Sequence, residues 1–96
     1  MKVSLVQFDI AWKDKQANID KITAMLSDVD SDLIVLPEMF NTGFCTDDVS
    51  LAEAMEGDTI KWMMEYSKRH KTAVCGSLIV GEEGVFFNRF IMVSDG

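Results

Sequence analysis

The sequence predicts an α/β fold in which two main helices pack on a mostly buried sheet. Three observations predict it. Strand, helix and strand patterns follow one another within the first 36 residues, which is typical of a βαβ unit with a right-handed crossover. The second of these strands, Leu33 to Leu36, is a short uninterrupted apolar run that suits burial on both faces. A second amphipathic helix pattern and two more strand patterns then complete the chain.

The first predicted strand covers Lys2 to Phe8, where apolar side chains alternate with polar ones and then crowd together. We expect this strand to be central in the sheet and mostly buried. The segment Asp9 to Lys13 is predicted to be a loop. Within that loop, Trp12 is expected to serve as a packing anchor.

The first helix is predicted over Lys15 to Val29, and Asp14 is its expected N-terminal cap. Apolar residues recur in this segment at spacings of three and four, which places them on one face of the helix. They are Ile19, Ile22, Leu26 and Val29. A polar turn that reaches Asp32 ends the helix.

Pro37 is expected to end the second strand because it has no N–H to donate to a neighbouring strand. The loop that follows reaches about Ser50, and its length suggests that it is functional. A short helix is predicted around Leu51 to Met55. Gly57-Asp58-Thr59 then supplies a stop and a cap for the second main helix, Ile60 to about His70.

The core face of the second main helix is predicted to consist of Ile60, Met63, Met64 and Ser67. A third strand is predicted from Ala73 to Val80, in which Gly76 permits the close approach of a neighbour. Residues 82–84 turn the chain into a fourth strand from Val85 to Val93. Ser94-Asp95-Gly96 is typical of the start of a hairpin turn. We therefore expect residues 1–96 to be the N-terminal portion of a single larger domain.

Composition excludes several classes of protein. With 48% hydrophobic and 26% charged residues, the chain is globular rather than disordered. A net charge of -7 argues against a nucleic-acid partner. No apolar run is long enough to span a bilayer, and the first residues lack the layout of a signal peptide. Cys45 and Cys75 do not form a metal-binding or redox pair. A cytoplasmic protein with neither a nucleic-acid nor a membrane partner is expected.

Glu38 is the candidate functional residue. It directly follows the strand-ending proline and precedes Met39 and Phe40, and a charge at the rim of an apolar sheet is costly unless it is paired or used. In open α/β sheets, ligands bind beyond the carboxyl ends of the strands, which is where this carboxylate is expected. The alternative is a solvated loop residue or an acid at a helix N-terminus.

The run Leu-Pro-Glu-Met-Phe-Asn-Thr-Gly-Phe at residues 36–44 resembles the first catalytic motif of the nitrilase superfamily, the carbon–nitrogen hydrolases. Its continuation after the glutamate most resembles the omega-amidase-like branch. Weaker resemblances to the family's strands and first helix lie at residues 2–8, at Asn18, and at Cys75-Gly76-Ser77 and Phe87-Asn88-Arg89-Phe90. The resemblance implies an α-β-β-α sandwich, of which this chain would form the N-terminal part.

The family resemblance also implies a chemistry, amide hydrolysis through a thioester on a cysteine. Of the family's catalytic Glu, Lys and Cys, only the glutamate has a matching position here, Glu38, as general base and acid. The lysine, which would stabilise the oxyanion, and the cysteine are expected beyond Gly96. Partial burial of Glu38 is expected. No metal and no organic cofactor is implied.

Several other residues are candidates for this site or are excluded from it. Phe40 and Phe44 are candidate walls of a substrate pocket because they flank Glu38 in a glycine-containing loop, with core packing as the alternative. The acidic residues beside Cys45 disfavour its thiolate and make it a poor nucleophile. Cys75 is expected to be a small core residue. Asn88 is a candidate for orienting a loop or binding a neighbouring carbonyl.

The leading hypothesis is an amidase for small ω-amides of dicarboxylic or α-keto acids, with the substrate class implied by the branch resemblance alone. The 96 residues by themselves are expected to be inactive and to associate through exposed apolar sheet, whereas the resemblance implies a homodimer or larger assembly for the parent. Two alternatives remain open. One is a folded chain that hydrolyses nothing, and the other is a small α/β binding or regulatory domain in which Glu38 caps a helix.

Overall fold

A computed structural model of the chain describes residues 1–45 and 47–94. It contains β1 (Val3–Leu5), α1 (Lys15–Met25), β2 (Leu33–Val35), a 3-10 turn (Val49–Leu51), α2 (Asp58–His70), β3 (Ala73–Glu82) and β4 (Val85–Val93). The expected hairpin turn at the C-terminus depends on Asp95 and Gly96, which lie outside the described residues. The predicted mixed α/β fold, with two main helices on a sheet, is confirmed.

The strands form one sheet in the order β1-β2-β3-β4, in which β1, β2 and β3 are parallel and β4 is antiparallel to β3. The register divides the side chains between two faces. The face that we call the helix face packs with α1 and α2 into one core and carries Ile34, Val74, Leu78, Val80, Ile91 and Val93. The opposite face, which we call the open face, carries Leu5, Val35, Cys75, Ser77, Ile79, Asn88, Phe90 and Met92.

The open face exposes large apolar side chains. Leu5 is 77% exposed, Phe90 63% and Met92 54%. The prediction that β1 is central and mostly buried is wrong, because β1 is a three-residue strand at the edge of the sheet. In β2, Ile34 is buried on the helix face, whereas Leu33 and Val35 are only partly buried on the other face.

Helix α1 begins where it was predicted to begin. The Asp14 carboxylate accepts a hydrogen bond from the Ala17 N–H at 3.1 Å, which confirms the predicted cap. The helix ends at Met25 rather than at Val29. Leu26 and Val29 nevertheless still pack against the core, because a turn follows in which the Val29 N–H donates to the Leu26 carbonyl.

The segment before α2 differs from the prediction. Instead of a short helix at residues 51–55, the 3-10 turn ends at Leu51 and the chain then becomes extended. The Glu53 N–H donates to the Ile79 carbonyl at 3.0 Å and the Gly81 N–H donates to the Glu53 carbonyl at 2.9 Å. Because β3 is much longer than β2, its remaining edge offers free backbone groups, and pairing with that edge prevails over a helical turn.

Helix α2 buries Ile60, Met63 and Ser67 as predicted, but Met64 is 43% exposed and does not belong to the core face. The close approach predicted at Gly76 is confirmed. A Cβ atom there would lie 2.9 Å from Phe40 Cδ1 and 3.0 Å from Leu36 Cβ. Glycine is therefore required at this position to let the loop after β2 lie against β3.

Candidate active site

Glu38 lies just after β2, in the segment that continues along the edge of β3. The Leu36 N–H still donates to the Cys75 carbonyl at 2.8 Å, and Pro37 then ends the pairing. The Glu38 side chain is exposed rather than partly buried. It lines a cleft of about 270 Å³ together with Leu36, Gly76, Ser77, Asn88 and Phe90. The carboxylate is thus placed beside a cleft at the carboxyl end of a parallel strand, as ligand-binding sites of α/β sheets are.

Asn88 contacts the carboxylate directly. Its Nδ2 donates to Glu38 Oε2 at 2.9 Å, although the two residues are 50 positions apart. Asn88 lies in β4 opposite Ile79, so the Glu38 side chain reaches across β3 to this partner. The sequence singled out Asn88 as a candidate for orienting a loop or binding a neighbouring carbonyl. Its partner in the structure is the carboxylate of Glu38, in the loop after β2.

Residues after Glu38 are fixed to β3 by main-chain contacts. The Met39 N–H donates to Ser77 Oγ at 3.0 Å, and the Phe40 N–H donates to the Ser77 carbonyl at 3.3 Å. Met39 has a φ of 48°, a left-handed conformation that is uncommon for a residue with a side chain. Such conformations persist only where the surroundings impose them, and they concentrate at functional sites.

The two candidate pocket walls lie in different places. Phe40 is fully buried in the core, where its ring centroid is 6.5 Å from that of Trp62. Phe44 is 62% exposed and lines a second, apolar cavity of about 190 Å³ with Met39, Ile79, Phe86 and Asn88 among others. Among the described residues, Phe90 rather than Phe40 supplies the aromatic wall of the cleft at Glu38.

A second carboxylate, Glu53, fixes the far end of the same loop. Its Oε1 accepts from the Thr59 N–H at 2.8 Å and its Oε2 accepts from the Thr59 hydroxyl and from Asn41 Nδ2. Lys15 Nζ lies 3.1 Å from Oε2. Burial acts to raise the pKa of Glu53, but the hydrogen bonds from Thr59 and the Lys15 cation outweigh it and leave the pKa lowered. The charged form is therefore favoured in the folded protein.

Asn41 links the loop to both helices. Its Nδ2 also donates to Thr59 Oγ1 at 3.1 Å, and its main-chain carbonyl oxygen accepts from Asn18 Nδ2 of α1 at 2.9 Å. Sequence reasoning missed the Glu53 cluster. The available signal was an acid shortly before Gly57, which has no side chain with which to cap α2. A larger cavity of about 550 Å³, beside Lys15, Glu53 and Trp62, adjoins this structural cluster and not Glu38.

Neither cysteine lines the cleft at Glu38. Cys45 is buried, and its Sγ donates to Asp47 Oδ1 at 3.3 Å, so it lies beside an acidic partner as the sequence indicated. Cys75 is 4% exposed, which confirms it as a core residue, and burial raises the pKa of its thiol. No lysine lines the cleft within residues 1–45 and 47–94.

The described residues contain neither a metal-binding cluster nor a membrane-spanning helix. Three or more His, Cys, Asp or Glu side chains are nowhere grouped so that they could hold a metal ion, as far as residues 1–45 and 47–94 show. In the same part of the chain, neither helix has the length and apolar character needed to cross a membrane.

Comparison with known proteins gives consistent matches along the chain. The sequence model of the carbon-nitrogen hydrolase family matches residues 2–96. The omega-amidase YafV of Escherichia coli is 31% identical over 97 aligned residues, which cover all of this chain and 38% of that protein. The omega-amidase YafV of Yersinia enterocolitica is 34% identical over 94 residues, which cover 97% of this chain and 36% of that protein.

A solved structure agrees with these matches. The structure of XC1258 from Xanthomonas campestris, a CN-hydrolase superfamily protein with an arsenic adduct in its active site, superposes with a TM-score of 0.92 at 34% identity. The superposition covers 98% of this chain and 36% of that one. This chain therefore spans little more than a third of the length of the relatives that it matches.

Proposed function

The chain belongs to the carbon–nitrogen hydrolase family, and from this premise we propose that the whole protein hydrolyses the C–N bond of small amides with Glu38 as general base and acid. The observation that carries the proposal is the position of Glu38. Its carboxylate stands at the carboxyl end of β2, beside a cleft, and holds a hydrogen bond from Asn88. A residue at such a rim is placed to exchange protons with a bound ligand.

The proposed reaction has two halves, in both of which Glu38 transfers protons. In the first, Glu38 takes the proton of a cysteine thiol, the thiolate attacks the amide carbon, and Glu38 hands the proton to the departing nitrogen, which leaves as ammonia. In the second, Glu38 takes a proton from water, the hydroxide attacks the thioester, and the thiol is restored as the acid is released. A lysine cation stabilises the oxyanion in each half.

The cysteine and the lysine of this mechanism come from the family resemblance, and no position of these 96 residues matches either motif. A sulfur nucleophile is compatible with the arsenic adduct in the active site of the Xanthomonas campestris protein, because arsenic binds thiolates strongly. Cys45 is not assigned the role, since it is buried and donates to Asp47.

The proposed substrates are ω-amides of small dicarboxylic or α-keto acids. This choice is supported by the relatives from Escherichia coli and Yersinia enterocolitica, which are named omega-amidases. A cytoplasmic location and a homodimer or larger assembly remain part of the proposal. The open face exposes apolar side chains such as Leu5 and Phe90, which favour association of the 96-residue chain in isolation.

The alternative in which Glu38 merely caps a helix is not favoured. The residues directly after Glu38 form turns rather than a helix, and the N-terminus of α2 is bound by Glu53, whose carboxylate accepts from the Thr59 N–H. The role of helix cap thus belongs to a different acid, and Glu38 stays available for the cleft.

Ammonia release by the whole protein tests the proposed activity. We expect release from a glutaramate-type ω-amide and much slower conversion of the nitrile of the same carbon skeleton, which serves as the matched control substrate. Intact-mass measurement of protein quenched during turnover should show the mass of one added acyl group, because the thioester is covalent. Ammonia release without any acylated protein, or turnover of the nitrile alone, would contradict the proposal.

A further inference from the structure

We propose that Asn88 is the positioning residue for Glu38, and that its side-chain amide selects which carboxylate oxygen carries the proton. This inference rests on the proposed role of Glu38. A general base must be held close to its productive geometry, since small displacements cost large factors in rate. The Glu38 side chain is long and exposed, so burial does not hold it in place.

Asn88 is the sole hydrogen-bond partner of the Glu38 carboxylate within the described chain, through Nδ2 to Oε2 at 2.9 Å. The amide is presented from β4, which is paired with β3 along its whole length from Val85 to Val93. A residue in a paired strand is more precisely placed than one in a loop. The exposed acid on the loop is therefore held by a partner on a paired strand.

The chemistry of the amide fits this role. An amide N–H donates to a carboxylate oxygen, and a neutral amide does not take up the proton itself. Because Asn88 Nδ2 donates to Glu38 Oε2, Glu38 Oε1 remains the oxygen that accepts the proton from a thiol or water and returns it. The other residues that line the cleft are Leu36, Gly76, Ser77 and Phe90, none of which titrates. Asn88 is thus the polar group of the described cleft that is best placed to tune Glu38.

The test uses Asn88→Ala and Asn88→Asp in the whole protein, with Arg89→Gln as the matched control. Arg89 is the next residue of β4, and its side chain pairs with Glu82 rather than with the site. In Asn88→Ala we expect kcat to fall about tenfold or more, because the base is no longer held in its productive geometry. We expect KM to change by less than about threefold, because Asn88 acts through Glu38 and not on the ground-state substrate.

The split between kcat and KM separates positioning from a merely structural role. Loss of a positioning contact lowers kcat and leaves KM nearly unchanged, whereas a distorted cleft raises KM as well. Asn88→Asp also removes the Nδ2 donor, so its kcat should fall as in Asn88→Ala, and Arg89→Gln should keep both constants of the wild type. Unchanged kcat in both Asn88 variants, or a loss carried by KM alone, would overturn the inference.

Two further results distinguish this inference from the proposed function. Full activity of Glu38→Gln would remove the base and with it any role for a residue that positions the base. Loss of activity in Glu38→Gln with wild-type behaviour of both Asn88 variants would overturn the positioning role alone. A measurement that does not depend on activity is the Asn88 side-chain ¹H–¹⁵N resonance pair. It should shift in Glu38→Ala, which removes the acceptor, and stay fixed in Arg89→Gln, and a resonance pair that does not shift in Glu38→Ala would refute the hydrogen bond.

Discussion

Replacing Gly76 with alanine tests how the loop of Glu38 is seated on β3. The added Cβ would stand 2.9 Å from Phe40 Cδ1, 3.0 Å from Leu36 Cβ and 3.1 Å from Phe40 Cε1. Carbon atoms in good contact are roughly 3.5–4.0 Å apart, so the neighbours would have to retreat by several tenths of an ångström. Leu36 Cβ is fixed by its own backbone, and the Phe40 ring is fully buried against Trp62.

The expected loss of stability follows from that geometry. Inserting a methyl group into a site whose neighbours cannot give way costs about 1–3 kcal/mol. Gly81→Ala is the matched control in the same strand. Its Cβ would lie 3.2 Å from Phe86 Cε1, and the Phe86 ring is 46% exposed and free to turn away. We expect Gly81→Ala to change stability by less than about 1 kcal/mol, helped by the reduced freedom of its unfolded chain.

Urea unfolding followed by tryptophan fluorescence measures both variants. Gly76→Ala should unfold at a clearly lower urea concentration than Gly81→Ala, with an unchanged slope. Combining Gly76→Ala with Phe40→Leu should recover part of the loss, because the smaller side chain leaves room for the methyl group and the two sites are in contact. Equal midpoints for the two glycine variants would refute the reasoning, as would fully additive losses in the double variant.

Three further substitutions have defined outcomes. Because the pKa of Glu53 is lowered in the folded protein from its ordinary 4.5, its charge stabilises the fold above that pH and the contribution disappears as the pH falls through the lower folded value. Glu53→Gln should therefore lower the urea midpoint at neutral pH and flatten its decline on acidification, and an unchanged pH dependence would contradict this assignment. Ser77→Ala removes the acceptor of the buried Met39 N–H, so calorimetry should show a loss of about 1–3 kcal/mol in the free energy of unfolding. An unchanged melting temperature would show that this hydrogen bond does not contribute to stability. Glu83 has a φ of 52° and is followed by Gly84 with a φ of 79°, and hairpin turns with two such residues prefer Asn-Gly. Glu83→Asn should therefore stabilise the protein by about 0.5–1 kcal/mol in the same experiment. Destabilisation would contradict the turn geometry.

Features that depend on residues close together in the sequence were predictable. The end of β2 before Pro37 follows from a missing N–H, and the capping of α1 by Asp14 follows from a side chain within reach of Ala17. The same local reasoning placed Glu38 at the rim of the sheet. The core-facing sides of the helices were also predictable, because periodic apolar residues such as Ile22 of α1 and Ile60 of α2 mark them directly.

Features that depend on the order of the strands were not predictable. β1 carries an apolar pattern that suits a central strand, yet its place at the edge depends on which strands pair. Asn88 meets Glu38 because the turn at residues 83–84 sets the register of β4 on β3, and a shift by one residue would carry Asn88 to the opposite face. Glu53 caps α2 because its backbone pairs with the free edge of β3. The residues around Glu53 in the sequence do not indicate this pairing.

The central claim is that Glu38 carries protons for amide hydrolysis in the whole protein. It is tested most directly by kcat/KM for ammonia release in Glu38→Gln, a variant of nearly equal shape that cannot accept and return a proton. The matched control is Glu56→Gln, which removes an exposed acid outside the cleft. We predict a loss of roughly 10²–10⁴-fold or more for Glu38→Gln and none for Glu56→Gln. Equal activity of the two variants would contradict the claim.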